Sequence, residues 1–188
     1  MIRRKYNLPD NYVLSVGSVT ENSNIEVIIE ALAKSQKPID LVIAGRATSH
    51  INKLKKLTAQ HNVTSRTHLL HGVAAEDMPA LYNLATMVIN LSSYEGFATH
   101  LAEAMAIGVP IIATRSSSME EVLGNAAIYV KRKKRDELKN AIRTLLEDQE
   151  IREELVARGR RQASRFRPEV VAFNLINCYR KVGIDIRG

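Results

Sequence analysis

The fold of this chain is decided by residues 91–113, which read Leu91-Ser-Ser-Tyr-Glu-Gly-Phe-Ala-Thr-His-Leu-Ala-Glu-Ala-Met-Ala-Ile-Gly-Val-Pro-Ile-Ile-Ala113. The apolar run 87–91 predicts a strand, and a polar turn with Glu95 and Gly96 follows it. The small residues that come next predict a helix ending at a Gly-Val-Pro sequence, after which a second apolar run predicts another strand. The stretch therefore predicts strand, loop, helix and strand in that order.

The start of this predicted helix suits an anion, because its first backbone N–H groups have no partner within the helix. Glu95 precedes the helix and Glu103 lies inside it, so two carboxylates flank the predicted anion site. Carboxylates do not bind phosphate, but they hold hydroxyl groups well. A phosphate beside a ribose or a sugar is therefore the first interpretation, and a pair of unrelated surface carboxylates is the alternative.

The rest of the chain alternates between predicted strands and helices. Strands are predicted at 11–16, 40–44, 66–71, 87–91, 111–113 and 126–130. Helices are predicted after Asn24, around Ile51, at 76–79, from about Ala98 and after Ser118, and over 135–148, 150–164 and 168–182. This alternation predicts an α/β fold, a Rossmann-like parallel sheet of about six strands with helices on both faces.

Two polar sequences predict side-chain caps for these helices. Asn24 stands immediately before an apolar helical pattern, where its side chain would accept from an amide of the first turn. The serines at 116–118 with Glu120 and Glu121 match a capping box.

Ligands of parallel sheets bind beyond the carboxyl ends of the strands. The loops predicted at that edge are 17–23, 45–48, 71–75, 92–99 and 114–118. His71 is a candidate for lining the site. His100 is expected to be neutral, because the helix dipole disfavours a cation there, and a surface or packing role is its preferred interpretation.

Composition restricts the class of protein. The 188 residues are 45% hydrophobic and 25% charged, as in one ordinary globular domain. The single cysteine, Cys178, excludes an internal disulfide framework and favours a reducing compartment. No apolar run approaches the roughly 18 residues of a membrane span, so a cytoplasmic location is expected. The net charge of +7 favours an anionic partner, with a solubilising surface charge as the equal alternative.

Other site chemistries find little support in the sequence. The five histidines are scattered and the cysteine is remote, so no metal site is predicted. No GxGxxG follows the first strand, which argues against a dinucleotide-binding dehydrogenase. The basic run 131–135 is interpreted as a solvated turn. A peripheral membrane contact, at the inner face of the membrane, is the alternative, and no nucleic-acid partner is predicted because no aromatic residues interleave the run.

The segment Tyr94-Glu-Gly-Phe-Ala-Thr-His-Leu-Ala-Glu-Ala-Met-Ala-Ile-Gly-Val-Pro110 resembles the E-x7-E segment of retaining glycosyltransferases of GT-B family 4, the group 1 type. Further matches follow in the family's order and spacing: Tyr12-Val-Leu-Ser-Val-Gly17, Leu41-Val-Ile-Ala-Gly45, Met78-Pro-Ala-Leu-Tyr82, Ser117-Ser-Met-Glu-Glu-Val122 and Gly124-Asn-Ala-Ala127. Over nearly its whole length, the chain is thus similar to the C-terminal, nucleotide-sugar-binding half of such an enzyme.

The resemblance implies roles for named residues. Glu95 would lie beside the transferred sugar as the catalytic residue, and Glu103 would hold the ribose hydroxyls. The base would lie against the segment from Arg46 and the loop after His68. Transfer would need no metal ion or other cofactor. The remaining donor-binding residues, which would meet the diphosphate or the base, are Gly96, Phe97, Ala98, Thr99, Gly17, Ser18, Ser23 and His71.

The sequence departs from the family at two places. The first loop of the family carries basic residues for the diphosphate, whereas Asn22 and Ser23 occupy those positions here. Losing a charge-assisted hydrogen bond costs about 1.5–3 kcal/mol, and Arg46 or Arg115 is the candidate replacement by loop position. Thr99 and His100 stand where the family often has an apolar residue and proline, which makes the choice of donor less defined.

The resemblance also predicts the organisation of the domain. Residues 1–10 are interpreted as the remnant of an interdomain linker, 11–167 as the donor-binding domain and 168–188 as a C-terminal helix and tail. The N-terminal acceptor domain would be supplied in cis or in trans. The leading hypothesis is a donor-binding domain of a hexosyltransferase that is inactive alone, and the alternative is a non-catalytic nucleotide-sugar-binding or regulatory subunit.

Overall fold

A computed structural model of the protein describes residues 2–116 and 118–183. Six parallel strands form one sheet in the order β3-β2-β1-β4-β5-β6. They are β1 (Tyr12–Val16), β2 (Asp40–Ala44), β3 (Thr67–Leu70), β4 (Met87–Asn90), β5 (Ile111–Thr114) and β6 (Ala127–Val130). The predicted six-stranded parallel sheet is confirmed, and each predicted strand is found within two residues of its expected bounds.

Nine helices are found in the described part of the chain. They are α1 (Ile2–Lys5), α2 (Ile25–Ala33), α3 (Ile51–Gln60), α4 (Met78–Leu84), α5 (Thr99–Ile107), α6 (Met119–Leu123), α7 (Arg135–Glu147), α8 (Gln149–Ala163) and α9 (Pro168–Lys181). Short 3-10 turns precede β3 and α4 and lie within the β1–α2 and α8–α9 connections. Within residues 2–116 and 118–183, no helix combines the length and apolarity that a membrane span requires.

Alternating side chains of the strands build a core on each face of the sheet. Val13 and Ile89 point to a core completed by α2, α3 and α7. Leu14 and Val88 point to the opposite core, which is completed by α4, α5 and α6. Helix α8 passes along α5, where the missing side chain of Gly159 lets the two helices approach closely. Helices therefore cover both faces, as the alternation of elements predicts.

Residues 2–10 are held on this domain by contacts with the segment before α4. The Tyr6 hydroxyl donates to Asp77 Oδ2 at 2.7 Å, and Lys5 Nζ donates to the same oxygen at 2.5 Å. Ile2 and Leu8 pack against the core that α4 and α5 cover.

Neither predicted helix cap is found among the described residues. The side chain of Asn24 accepts no amide from α2; the residue adopts a left-handed conformation and its amide group contacts the loop after β4 instead. The Ser118 hydroxyl donates to the backbone oxygen of Glu95 at 3.2 Å, and the Ser116 hydroxyl donates to Ser92 O at 3.1 Å. Both hydroxyls serve the neighbouring loop rather than the start of α6, and Ser117 lies outside the described residues.

Candidate functional site

The loops after β1 and β4 meet at the centre of the carboxyl edge of the sheet. β1 and β4 are neighbours in the sheet, but the chain runs outward from them in opposite directions, to β2 and β3 on one side and to β5 and β6 on the other. Such a switch point opens a crevice between two loops that diverge, and ligands of open α/β sheets bind there. We refer to residues 17–24 as the β1 loop and to residues 91–98 as the β4 loop.

Hydrogen bonds join these two loops. Ser93 N donates to Asn22 O at 2.9 Å, and Asn24 Nδ2 donates to Leu91 O at 2.8 Å and to Ser93 Oγ at 3.0 Å. The amide of Asn24 is buried, so these bonds are protected from water. The left-handed φ of 51° at Asn24 turns its side chain away from α2 and towards the β4 loop.

A small cleft lies between the two loops and collects four of the residues predicted for the site. Gly17, Ser18, Ser23 and Glu95 line this cleft of about 30 Å³. The Ser23 hydroxyl closes its own turn by bonding to the backbone of Thr20. The β1 loop contains no lysine or arginine, so the cleft has hydroxyl and amide donors but no cation of its own.

The β4 loop leads into α5 through a buried residue, Ala98, in the left-handed conformation with φ 56°. The hydrogen-bond ladder of the helix starts with Leu101 N, which donates to Ala98 O at 2.9 Å. The amides of Thr99 and His100 precede this first bond and remain at the open end of the helix, where an anion is favoured. The helix begins one residue later than predicted because Ala98 is not helical.

Gly96, Phe97 and Thr99 are all exposed around this helix start. The ring of Phe97 packs edge-on against Phe166, with 5.1 Å between the ring centroids. Its side chain is therefore engaged with the turn before α9, and its predicted contribution to the site would come from the backbone.

The two predicted carboxylates are each held by a polar side chain. Asn90 Nδ2 donates to Glu95 Oε1 at 3.3 Å, and the Tyr82 hydroxyl donates to Glu103 Oε2 at 2.9 Å. Burial raises the pKa of Tyr82 far above its usual value, and the charge of Glu103 raises it further. Tyr82 is therefore a permanent donor to Glu103.

His100 lies near both glutamates and is neutral. Ser92 N can only donate, so the amide atom of Asn90 that it meets at 2.8 Å is oxygen. The NH2 group of Asn90 consequently faces His100 Nε2, which must accept and therefore carries no proton. Burial also lowers the pKa of His100, and this effect outweighs the opposing charges of Glu95 and Glu103. The prediction of a neutral ring is confirmed. The preferred interpretation as a surface or packing residue did not anticipate that His100 lies beside the two carboxylates.

Sequence reasoning gave no role to Asn90 or Tyr82. The signal for Asn90 was a polar residue at the end of an otherwise apolar strand. Tyr82 carried no comparable signal, because its partner Glu103 lies 21 residues away on another helix.

Arg46 and His71 lie together in a separate pocket between the ends of β2 and β3. This pocket has a volume of about 500 Å³, and its walls also include Gly45, Gly72 and Met78. His71 Nδ1 lies 3.3 Å from Gly45 O. The β1 loop borders the pocket so closely that a Cβ at Gly45 would meet Gly17 O at 1.7 Å. The predicted site residues thus form two neighbouring groups on one edge of the sheet.

Another pocket lies on the other side of the switch point, at the ends of β4, β5 and β6. Its volume is about 580 Å³, and Arg115, Lys131 and Arg132 contribute its cations. Arg115 stacks over the Tyr129 ring, 4.3 Å from its centroid, and pairs with Glu120. Among residues 2–116 and 118–183, no His, Cys, Asp or Glu cluster has three members placed to hold a metal ion.

The pattern of residues that builds this edge belongs to a known family. The model of the family "Glycosyl transferases group 1" matches residues 2–162. The chain belongs to the group 1 glycosyltransferases. It is 29% identical over 184 residues to O-antigen chain mannosyltransferase B of Escherichia coli, an alignment that covers 95% of this chain and 48% of the relative.

Solved structures of glycosyltransferases share the fold. Anabaena HepE in complex with UDP and glucose superposes with a TM-score of 0.83 at 21% identity, over 97% of this chain and 51% of that chain. The C-terminal domain of a glycosyl transferase group 1 family protein from Francisella tularensis superposes with a TM-score of 0.74 at 21% identity, over 87% of this chain and 89% of that one. This glycosyltransferase chain spans between about a fifth and a half of the length of these curated relatives, 48% of O-antigen chain mannosyltransferase B and 21% of a serotype-specific mannosyltransferase of Escherichia coli.

Proposed function

We propose that this chain is the donor-binding half of a retaining hexosyltransferase, which transfers a hexose from a nucleotide-diphosphate sugar to a glycan or a lipid-linked acceptor. The observation that carries the proposal is the switch point itself. There, the β1 and β4 loops are bonded together and the open amides of α5 stand next to Glu95 and Glu103. Amides suit a diphosphate, and the flanking carboxylates suit the hydroxyl groups on either side of it.

The proposed donor lies along the carboxyl edge of the sheet. Its base occupies the pocket with Arg46 and His71, and its ribose hydroxyls bind Glu103. The diphosphate meets the amides of α5 and the β1 loop, and the hexose lies at Glu95, where transfer occurs. Protein donors stabilise the leaving diphosphate, so no metal ion takes part. The fold neighbour that holds UDP and glucose, and the curated mannosyltransferase relative, support a nucleotide-activated hexose.

The proposal also includes a second half that binds the acceptor. The relatives are at least about twice as long as the matched region, and the Francisella tularensis structure with the same fold is a C-terminal domain. Helix α9 offers a surface for the second half, because none of its residues is buried in the described chain. Its exposed large apolar side chains are Val170, Val171, Phe173, Leu175 and Tyr179. Without the second half, the chain binds the donor but does not transfer.

Donor binding is tested by isothermal titration of the chain with UDP-, GDP- and ADP-hexoses. Glu103→Gln removes a charge-assisted bond to the ribose and is expected to weaken the preferred donor by about one to two decades. Glu121→Gln, which neutralises an exposed carboxylate on α6, is the matched control and leaves the affinity unchanged. If no donor binds at millimolar concentration, or if the two variants behave alike, the assignment is wrong.

A non-catalytic nucleotide-sugar-binding subunit is the second candidate, and the cation-free β1 loop favours it. An assay with the second half of the enzyme present gives different results for the transferase and for the non-catalytic subunit. Transfer from the bound donor, lost in Glu95→Gln, supports the enzyme. A donor that binds with normal affinity but is neither transferred nor hydrolysed supports the non-catalytic subunit.

A further inference from the structure

The pocket of about 580 Å³ at the ends of β4, β5 and β6 has no part in the donor site described above. It lies across the switch point from the pocket with Arg46 and His71, because β5 and β6 form one end of the strand order and β2 and β3 form the other. Ser92 borders both this pocket and the cleft with Glu95. A donor that runs from the base pocket to Glu95 therefore leaves this pocket open to a second molecule.

The lining of the pocket favours an anion. Three cations, Arg115, Lys131 and Arg132, stand against one carboxylate, Glu137. That carboxylate is already engaged, because Lys131 N donates to Glu137 Oε2 at 2.8 Å. Arg115 has its own partner in Glu120, whereas the side chains of Lys131 and Arg132 form no ion pair with any described residue. Two exposed cations thus face a concave surface without a compensating charge.

The surrounding side chains define the shape of the pocket and not its charge. The Thr114 and Ser116 hydroxyls both donate to Ser92 O, at 3.0 and 3.1 Å. These bonds fix residues 114–116 against the β4 loop. The Tyr129 hydroxyl donates to Gly124 O at 2.8 Å, and the Tyr129 ring stacks with the Arg115 guanidinium. The Arg115 guanidinium is therefore held against the Tyr129 ring in the lining of the pocket.

We propose that this pocket binds a phosphate or diphosphate group of the acceptor, with Lys131 and Arg132 as its principal contacts. This inference rests on the proposed function, since it assumes that the donor occupies the other side of Glu95. It defines the acceptor class as a phosphate-bearing molecule. The phosphate can belong to a soluble acceptor or to a lipid headgroup, because both present the same oxygen atoms to the two cations.

The test is the binding of inorganic pyrophosphate to the 188-residue chain, with and without a saturating nucleotide. Lys131→Gln/Arg132→Gln is expected to lower pyrophosphate affinity at least about tenfold while nucleotide affinity stays unchanged. The matched control, Lys133→Asn/Lys134→Gln, removes the same charge from the same loop but outside the pocket. Asparagine is used at position 133 because its φ is 62°. The control is expected to change the affinity less than about threefold.

The outcomes separate this inference from the proposed function. The proposed phosphate site is contradicted if both variants lose pyrophosphate affinity equally, or if the unmodified chain does not bind pyrophosphate. Loss of all pyrophosphate binding under saturating nucleotide also contradicts the proposal, because pyrophosphate would then bind only at the donor diphosphate site. If no nucleotide binds, the proposed function fails, and the pyrophosphate titration is still interpreted on the nucleotide-free chain.

Phosphatidylcholine vesicles with and without phosphatidic acid identify the source of the phosphate. Selective loss of phosphatidic acid binding in Lys131→Gln/Arg132→Gln assigns the pocket to a lipid headgroup. Pocket-dependent pyrophosphate binding without any vesicle binding assigns it to a soluble acceptor. Vesicle binding that both variants lose equally, without pocket-dependent pyrophosphate binding, shows a diffuse charge effect of the loop and overturns the pocket.

Discussion

His100 accepts a hydrogen bond from the side-chain amide of Asn90 and lies near the carboxylates of Glu95 and Glu103. The two carboxylates favour a protonated ring, whereas the bond from Asn90 requires a neutral one. Its neutral state follows from the bond with Asn90 and from burial, which together outweigh the charges of Glu95 and Glu103. A neutral ring keeps Asn90 oriented, and Asn90 in turn donates to Glu95. His100 is thus a positioning residue for the proposed catalytic carboxylate.

The lowered pKa of His100 predicts a pH dependence of stability. As the pH falls below 6.5, the ordinary pKa of histidine, His100 becomes protonated in the unfolded chain but stays neutral in the folded chain until the pH reaches its lower folded pKa. The free energy of unfolding should therefore fall as the pH drops below 6.5, and level off below the folded pKa. His100→Gln, which can still accept from Asn90, should reduce this loss in urea titrations across that range. The same reduction in His61→Gln, at the end of α3, would contradict the assignment to His100.

Asn22 offers a direct test of the missing cation in the β1 loop. Its backbone oxygen bonds to Ser93 N, but its exposed side chain forms no hydrogen bond or ion pair with the described residues. Asn22→Lys should therefore strengthen the binding of a nucleoside diphosphate by about tenfold or more, while a nucleoside changes little. Position 22 is preferable to 23, since Ser23 closes its own turn. Asn22→Gln is the uncharged control. An unchanged diphosphate affinity would mean that another group already supplies the charge.

The β1 and β4 loops owe their relative position to Asn24. Asn24→Ala should lower the free energy of unfolding by about 2–5 kcal/mol. It removes the hydrogen-bond donor to the buried Leu91 carbonyl and forces alanine into a left-handed conformation. Asn24→Gly loses the same bonds but accepts the backbone conformation, so it should recover about 1 kcal/mol or more of that loss. Urea unfolding with a donor titration measures both. Equal stability of the two variants would show that the conformation carries no cost.

The strands and helices were predictable because their apolar positions repeat within a few residues along the chain. The spacing of Ile25, Ile28 and Leu32 identifies the buried face of α2, even when the elements that cover this face are not known. The parallel sheet followed, since helices alternate with apolar strands. Glu95 and Glu103 were likewise found as site candidates because both belong to one strand-loop-helix unit, although their roles stay predictions.

The side-chain contacts between loops were not predictable in the same way. Asn24 and Ser118 both stand where a helix cap belongs, and local spacing cannot reveal that a neighbouring loop offers them closer partners. Tyr82 and Glu103 meet only because α4 and α5 pack on the same face of the sheet. Such contacts depend on the tertiary arrangement, which decides among several locally acceptable partners.

In the molecule as a whole, the three proposed binding features share the carboxyl edge of one sheet. The pocket with Arg46 and His71 lies on one side of the switch point, the cationic pocket with Lys131 and Arg132 on the other, and Glu95 between them. This order gives the proposed reaction a direction, with the donor entering from β2 and β3 and the acceptor from β5 and β6. In this proposal, the edge strand β6 contributes to acceptor binding through the loop that follows it.

Helix α9 adds an apolar surface that the described chain does not cover. Phe173 is 63% exposed and Leu175 is 52% exposed, so replacing them removes few internal contacts. Phe173→Ser/Leu175→Ser should change the stability of the chain by less than about 1 kcal/mol in thermal unfolding, since exposed substitutions each change it by about 0.5 kcal/mol or less. The same variant should bind the separately expressed second half at least about tenfold more weakly, because contact with that half would bury both side chains. Asn174→Ser, on the same helix, should alter neither quantity. Unchanged affinity for the second half in Phe173→Ser/Leu175→Ser would place the contact elsewhere, whereas a large loss of stability in the isolated chain would mean that α9 packs on its own domain in solution.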